Sequence, residues 1–278
     1  MGIRFTKMHG IGNDYIYINC FDQKIENIEQ LAIFMSHRQF GVGGDGIVLI
    51  MPSEVADVRM RMFNLDGSEG KMCGNAIRCV GKYAYERGLC KKDVIRVETA
   101  SGIKTLYLTV KNGKVELLRV DMGAPILEPK RIPIAYEGGN IDVPVETAFS
   151  SQPLTCVSMG NPHAVMFTTG IDALDLPKIG PMYEHHPMFP EGVNTEFVEV
   201  IDDHTLKMRV WERGSGETLA CGTGACGVTV AATLKGFVKR DTDVTVHLRG
   251  GDLVIHWDEN TVWMTGSATF VFDGELCD

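Results

Sequence analysis

The chain has 278 residues, 44% of them apolar and 23% charged, and a formal net charge of −9. This is the make-up of a globular protein long enough for two domains, and its acidic balance leaves no basic stripe to meet the phosphates of a nucleic acid. No apolar run approaches the roughly 20 residues that span a bilayer. The opening MGIRFTKMHG lacks the apolar core of a signal peptide, so a reducing cytoplasm and free thiols are expected. Met1-Gly2…Thr6 fits the myristoylation pattern, a chance match because the residues that follow read as a folded strand.

The first glycine cluster, Gly41-Val42-Gly43-Gly44-Asp45-Gly46, formally matches G-x-G-x-x-G. An apolar strand, Ile47–Ile50, follows it where a dinucleotide site needs a helix, so it reads as a turn entering a strand. Residues 58–63 form the next strand. A helix follows at about Asn75–Arg87, stopped by Gly88. Strands at 94–98, 104–110 and 114–120 come next, the last two joined by an Asn112-Gly113 hairpin turn. Proline and glycine punctuate residues 120–150, as a connection would require.

Beyond it, strands are predicted at 155–158, 164–168, 195–200, 205–211, 244–248, 253–257 and, as one long strand, 262–272. A second helix spans about Thr223–Lys235 and stops at Gly236. Its stretch Ala225–Leu234 is apolar or small on nearly every face, which belongs inside a protein.

These two halves repeat one another. Met60-Arg61…Glu69…Cys73-Gly74 recurs as Met208-Arg209…Glu217…Cys221-Gly222, a constant shift of 148 positions (221 minus 73). Without a gap the same shift pairs Val80 with Val228, Ala84 with Ala232, Gly88 with Gly236 and Asp93 with Asp241. It also pairs Gly12-Asn13 with Gly160-Asn161. The reading is a duplicated α+β unit in two pseudo-symmetric domains, each a barrel-like, mostly antiparallel sheet around its own central helix. The domains are expected at 1–121 and 122–265, with the C-terminal strand at about 266–278 joining the first and the active site in the cleft between them.

Each half places a cysteine at a helix start. Unpaired backbone N–H groups and the helix dipole there favour negative charge, so a thiol should ionise more easily and a carboxylate can be held. Two such thiols on opposite faces of one carbon form a two-base system, with one thiolate removing a proton and one thiol returning it. No cofactor is formally needed. The ordinary reading of a cysteine is a small buried residue, and it suits Cys20, Cys79, Cys90, Cys156 and Cys226. Cys73 and Cys221 differ in being repeated, followed by glycine and set at helix starts. The cysteine spacings do not suit zinc.

Met72-Cys73-Gly74-Asn75-Ala76, Gly160-Asn161-Pro162-His163, Glu212-Arg213-Gly214 and Ala220-Cys221-Gly222-Thr223-Gly224 closely resemble the diaminopimelate epimerases. The opening Phe5-Thr6-Lys7-Met8-His9-Gly10…Gly12-Asn13-Asp14 is similar too. The resemblance implies cofactor-independent interconversion of LL- and meso-2,6-diaminopimelate, a step toward lysine, by a homodimer. It implies Cys73 and Cys221 as the acid/base pair. Asn13, Asn64, Asn161, Asn194, Glu212 and Arg213 match substrate contacts, and the backbone amides at Gly74-Asn75 and Gly222-Thr223 would hold the reacting carboxylate. Arg213 would grip the distal carboxylate, and His163 and Glu212 match positions that adjust the thiols. Gly46 stands where some members carry a glutamine, which puts a contact there in doubt. Alternatives are a histidine or proline/hydroxyproline racemase of the same superfamily and, from another class, a thiol redox protein or an amino-acid binding module.

Overall fold

Alternating or continuously apolar segments become strands along most of the chain, in a computed structural model that describes residues 2–277. Met1 and Asp278, the expected outer ends of the first domain and of its C-terminal strand, lie outside the described residues, and so does the first position of the myristoylation match. Contacts divide the chain into two units, Met1–Asp121 with Thr265–Asp278, and Met122–Met264. The class is α+β.

The first unit begins with β1 (Arg4–Gly10) and β2 (Asn13–Asn19), then α1 (Ile28–Ser36), β3 (Gly46–Met51), β4 (Val58–Asn64) and the short β5 (Glu69–Gly70). It continues with α2 (Gly74–Glu86), β6 (Val94–Thr99), β7 (Gly102–Lys111) and β8 (Lys114–Asp121). Asn112 and Gly113 have φ of 51° and 74°, the left-handed pair that a tight hairpin between β7 and β8 demands. The ladder is antiparallel except where β2 meets β3 and β4 meets β6. Six strands, β1, β2, β4, β6, β7 and β8, touch α2.

The second unit holds β9 (Thr155–Ser158), β10 (Pro162–Phe167), α3 (Leu176–Glu184), β11 (Asn194–Asp202), β12 (Thr205–Glu212) and β13 (Gly216–Thr218). Then come α4 (Gly222–Leu234), β14 (Asp243–Leu248), β15 (Gly251–Trp257) and β16 (Val262–Gly266), whose last two residues already count with the first unit. Its helix α4 is touched by β9, β10, β11, β12, β14 and β15, and Gly224–Ala232 of it are buried without interruption. At roughly 1.5–3 kcal/mol for each fully buried Val, this helix is held by its surroundings rather than by its glycine- and β-branched-rich composition.

The repeat survives as identical register. Ile16 pairs Ile47 and Ile47 pairs Phe63 in the first unit; Ala164 pairs Thr195 and Thr195 pairs Trp211 in the second, each number displaced by 148. The ion pair Arg61–Glu69 recurs as Arg209–Glu217, at 2.7 and 2.8 Å.

Three features depart from the expectations. The strand expected over 262–272 is two, β16 and β17 (Thr269–Glu275), and β17 pairs with β1. Between them the Ser267 carbonyl turns to accept from Arg78 Nε at 3.2 Å, an anchor inside the first unit that interrupts extension. Helices α1 and α3 were not anticipated. In α3, Pro177 stands in the first turn, where proline is tolerated, but Pro181 opposes the helix from within, yet Leu176, Ile179 and Tyr183 pack into an apolar core with Phe197 and Phe189. No described helix is long and apolar enough to cross a membrane.

Candidate active site

Cys73 and Cys221 are the N-cap residues of α2 and α4. Both have extended backbones, with φ/ψ of −130°/124° and −123°/106°, and each carbonyl accepts the first helical bond, from Ile77 and Ala225. A residue so placed lies beside the helix's unpaired N–H groups. Glycine in the left-handed region ends each helix, Gly88 at φ 81° and Gly236 at φ 75°.

Around the first thiol, the Ile11-Gly12 turn uses positive φ at both residues (46° and 89°) to bring Asn13 to the start of β2. Asn13 Nδ2 donates to Asp45 Oδ2 at 2.7 Å. A carboxylate only accepts, so the amide nitrogen must face it, and Asn13 Oδ1 faces Cys73, whose S–H donates at 3.4 Å. Asp45 is itself held: it accepts from Asp14 N and from Arg38 Nη2, and Lys7 binds both Asp14 and the Gly43 carbonyl. Burial pushes the Asp14 carboxyl up, but bonds from Arg38 and Lys7 outweigh it and hold the group below its ordinary value. For Asp45, burial and then the neighbouring Asp14 charge prevail, and its carboxyl is raised.

Beneath the first turn of α2 lies Arg78, with no exposed surface. It donates to the Gly74 carbonyl at 3.0 Å and to Asn75 Oδ1 at 2.9 Å. The Asn75 side chain is therefore turned into the protein, leaving its backbone as the part able to meet a ligand. Asn64, at the end of β4, donates to Ser68 Oγ. At Gly46 an added Cβ would come within 2.1 Å of the Phe63 carbonyl oxygen, so the close β3–β4 approach leaves no room for a side chain.

The second thiol is the more enclosed, with Cys221 4% exposed. Its Sγ lies 3.6 Å from Thr223 Oγ1, which accepts from Asn161 Nδ2 at 3.3 Å. Asn161 Oδ1 faces His163 Nε2 at 3.2 Å, and His163 Nδ1 lies 2.6 Å from Glu196 Oε1, both side chains fully buried. Glu212 accepts from Thr218 Oγ1 at 2.5 Å. Asn194 donates to the Pro162 carbonyl and accepts from the Arg213 backbone N–H, and the Arg213 guanidinium donates to the Glu191 carbonyl.

Here the expectation of an easily ionised thiol needs correction. Cys221 is pushed well above the ordinary cysteine value, first by burial, then by the charges of Glu212 and Glu196. The Thr223 hydroxyl and the Gly224 N–H pull the other way and lose. Desolvation of a thiolate outweighs a helix start when two carboxylates stand nearby.

Sequence reasoning singled out neither Asp45, Arg78, Thr218 nor Glu196 as part of the site. Glu196 had a readable signal: it interrupts an apolar strand where the shift of 148 gives Val48 in the first half.

The model of the family described as diaminopimelate epimerase matches residues 5–128 and 155–271, which takes in both thiol centres. The chain belongs to the diaminopimelate epimerase family. A diaminopimelate epimerase of Acetivibrio thermocellus is 60% identical over 277 residues, covering 99% of this chain and 98% of that one. One from Methanococcus maripaludis is 56% identical with 99% of each covered. Among solved structures, a phenazine biosynthesis protein of the PhzF family from Bacillus anthracis superposes with a TM-score of 0.74 at 18% identity, covering 100% of both chains. A hydroxyproline epimerase from Agrobacterium vitis gives 0.71 at 14%, covering 99% of this chain and 90% of that one. At such identities these two share the fold. The matched ranges contain every motif that carries the diaminopimelate epimerase resemblance in the sequence. Among the described residues no group of three or more His, Cys, Asp or Glu side chains could hold a metal ion.

Proposed function

We propose that the chain interconverts LL- and meso-2,6-diaminopimelate, with Cys73 and Cys221 acting on opposite faces of one α-carbon. One sulfur, as thiolate, takes the α-hydrogen as a proton, and the bonding pair stays on carbon and spreads into the adjacent carboxylate. The other sulfur, as thiol, delivers its proton to the opposite face. Charge is conserved: the pair begins and ends with one proton.

Backbone N–H groups at Gly74-Asn75 and Gly222-Thr223 are set at helix starts, where a carboxylate that gains charge is stabilised; preorganised donors of this kind are worth roughly 100- to 1,000-fold each. The charge of Glu212 opposes ionisation of Cys221 and so keeps a proton available there. Asn13 and Asn161 aim fixed amides at the two thiol centres. Asn64, Asn194 and Arg213 complete the substrate contacts, with the Arg213 fork on the distal carboxylate. His163 adjusts the second centre through Asn161. The setting is cytoplasmic and the working form a homodimer.

The observation that carries this reading is the recurrence of a cysteine N-cap, in identical register, on two duplicated helices of a chain 60% identical to a diaminopimelate epimerase. The test is deuterium uptake from solvent at the α-carbon of LL-diaminopimelate, with L-proline and L-histidine as competitors. Cys73→Ser and Cys221→Ser should each lose about 100- to 10,000-fold in turnover, the range for removing a positioned acid or base. Either variant turning over at the full rate would end the two-base mechanism, and activity confined to proline or histidine would end the substrate assignment.

A further inference from the structure

Glu196 is fully buried, and the mechanism as proposed gives it no task. Its Oε1 lies 2.6 Å from His163 Nδ1, while its Oε2, equally buried, has no hydrogen-bond partner among the described residues. A buried carboxyl with one oxygen unsatisfied is costly unless the other does something useful.

The second unit is built to admit it. At the position of Gly224, in the first turn of α4, a Cβ would come within 2.7 Å of Glu196 Oε1. The shift of 148 gives the counterparts of His163, Glu196 and Gly224 as Tyr15, Val48 and Ala76. Where valine stands, the helix start carries alanine; where glutamate stands, it carries glycine. All three positions differ together, and the helix gives up a better former to make room for the carboxyl.

The surrounding bonds assign the protons. Asn161 donates from Nδ2 to Thr223 Oγ1, so its Oδ1 accepts from His163 Nε2–H. With Nε2 protonated, the contact between Nδ1 and Oε1 holds one proton, whichever atom carries it. The Nδ1–Oε1 contact alone would also suit a carboxylate accepting from Nδ1–H of a ring whose Nε2 is bare; the Asn161 oxygen at Nε2 selects Nε2–H, and the carboxyl accommodates the second proton that this state requires. A glutamine could donate its amide to Nδ1 or accept from Nδ1–H, and in the second case Nε2 would lose its hydrogen and Asn161 its fixed direction.

We propose that Glu196 is a positioning residue of the epimerisation: with His163 Nδ1 it accommodates the second proton of the pair, so that Nε2 presents N–H to Asn161 Oδ1 and the Asn161 amide nitrogen faces Thr223, the neighbour of Cys221, as a donor. This rests on the reading of the chain as an epimerase.

The test is Glu196→Gln, with two readouts. Proton and nitrogen NMR of histidine-labelled protein should show, in the unsubstituted chain, a low-field ring proton at the Nδ1 side of His163 and a protonated Nε2. In E196Q the low-field line should vanish and the ring should populate both tautomers. Steady-state turnover of LL-diaminopimelate should fall about 10- to 100-fold in kcat, the range for outer groups that orient a functional histidine, with a smaller change in KM.

A folded E196Q with kcat within about twofold of the unsubstituted enzyme overturns the proposal. So does an Nε2 without a proton in the unsubstituted protein, a measurement that decides the matter even if E196Q fails to fold. An unsubstituted protein inert on LL-diaminopimelate refutes the substrate reading instead, and the ring-proton spectrum then still decides whether Glu196 sets the state of His163.

Discussion

Replacing Gly224 with alanine opposes two effects of known size. Alanine is preferred to glycine inside a helix by about 1 kcal/mol, less in a first turn, and it also restricts the unfolded chain. Against this, the new Cβ would stand 2.7 Å from Glu196 Oε1 and 3.2 Å from Cys221 Cβ and Sγ, where ordinary contact begins at 3.4 Å. The carboxyl would have to retreat by about 0.7 Å, the difference between 2.7 and 3.4 Å. It is no loose side-chain end, because it is fully buried and bonded at 2.6 Å to His163.

Overpacking costs about 1–3 kcal/mol and a weakened buried bond about 1–3 more, so the loss wins by roughly 1–5 kcal/mol. At about 2–4 °C per kcal/mol, Tm should fall by several degrees. Displacement of Cys221 by part of an ångström should lower kcat by roughly 10- to 100-fold. Calorimetry and turnover of LL-diaminopimelate measure the two. The double variant Gly224→Ala, Glu196→Val copies the first half's Ala76 and Val48, and should recover much of the lost Tm but none of the lost kcat. A Gly224→Ala protein as stable and as active as its parent would refute the packing argument.

Alkaline stability follows from the buried thiols. Cys79 and Cys156 are pushed up to about 11 and about 12, in both cases chiefly by burial, from an ordinary 9.0. Above pH 9 the unfolded chain releases protons that the fold keeps, so stability is intact below that pH and falls as pH rises, by about 1.4 kcal/mol per unit for each thiol. Denaturant melts at pH 8 and 10 should show it, and Cys156→Ala should flatten the slope; an unchanged slope would contradict the burial argument. Asp45→Ala frees Asn13 Nδ2 and lets the amide turn away from Cys73. It should cost about 1–2 kcal/mol in urea unfolding and roughly 10- to 100-fold in kcat, and full turnover would show that Asp45 does not orient Asn13. Arg78→Met removes the buried guanidinium donors to the Gly74 and Ser267 carbonyls and to Asn75 Oδ1, which should lower stability by about 3–5 kcal/mol; a Tm unchanged from the parent would mean that water replaces the guanidinium.

The parts legible in the sequence are those written locally. Asn112-Gly113 specifies its hairpin because only left-handed backbone closes it, and Gly88 and Gly236 end their helices for the same reason. Helix α3 was hidden because its interior Pro181 argues locally against a helix that packing then supports. The break at Ser267 was hidden because its cause, Arg78, lies 189 residues away.

From its residues alone the chain determined the duplication, the two cysteines at helix starts and the membership of its family, since each is a matter of spacing or of a short motif. Only the tertiary structure decided that the Cys221 thiol is raised rather than lowered, and the directions of Asn13 and Asn161. Desolvation and charge add up over groups brought close in space from β11, β12 and α4, and an amide's direction is chosen by partners distant in sequence; neither quantity is carried by any short stretch of chain.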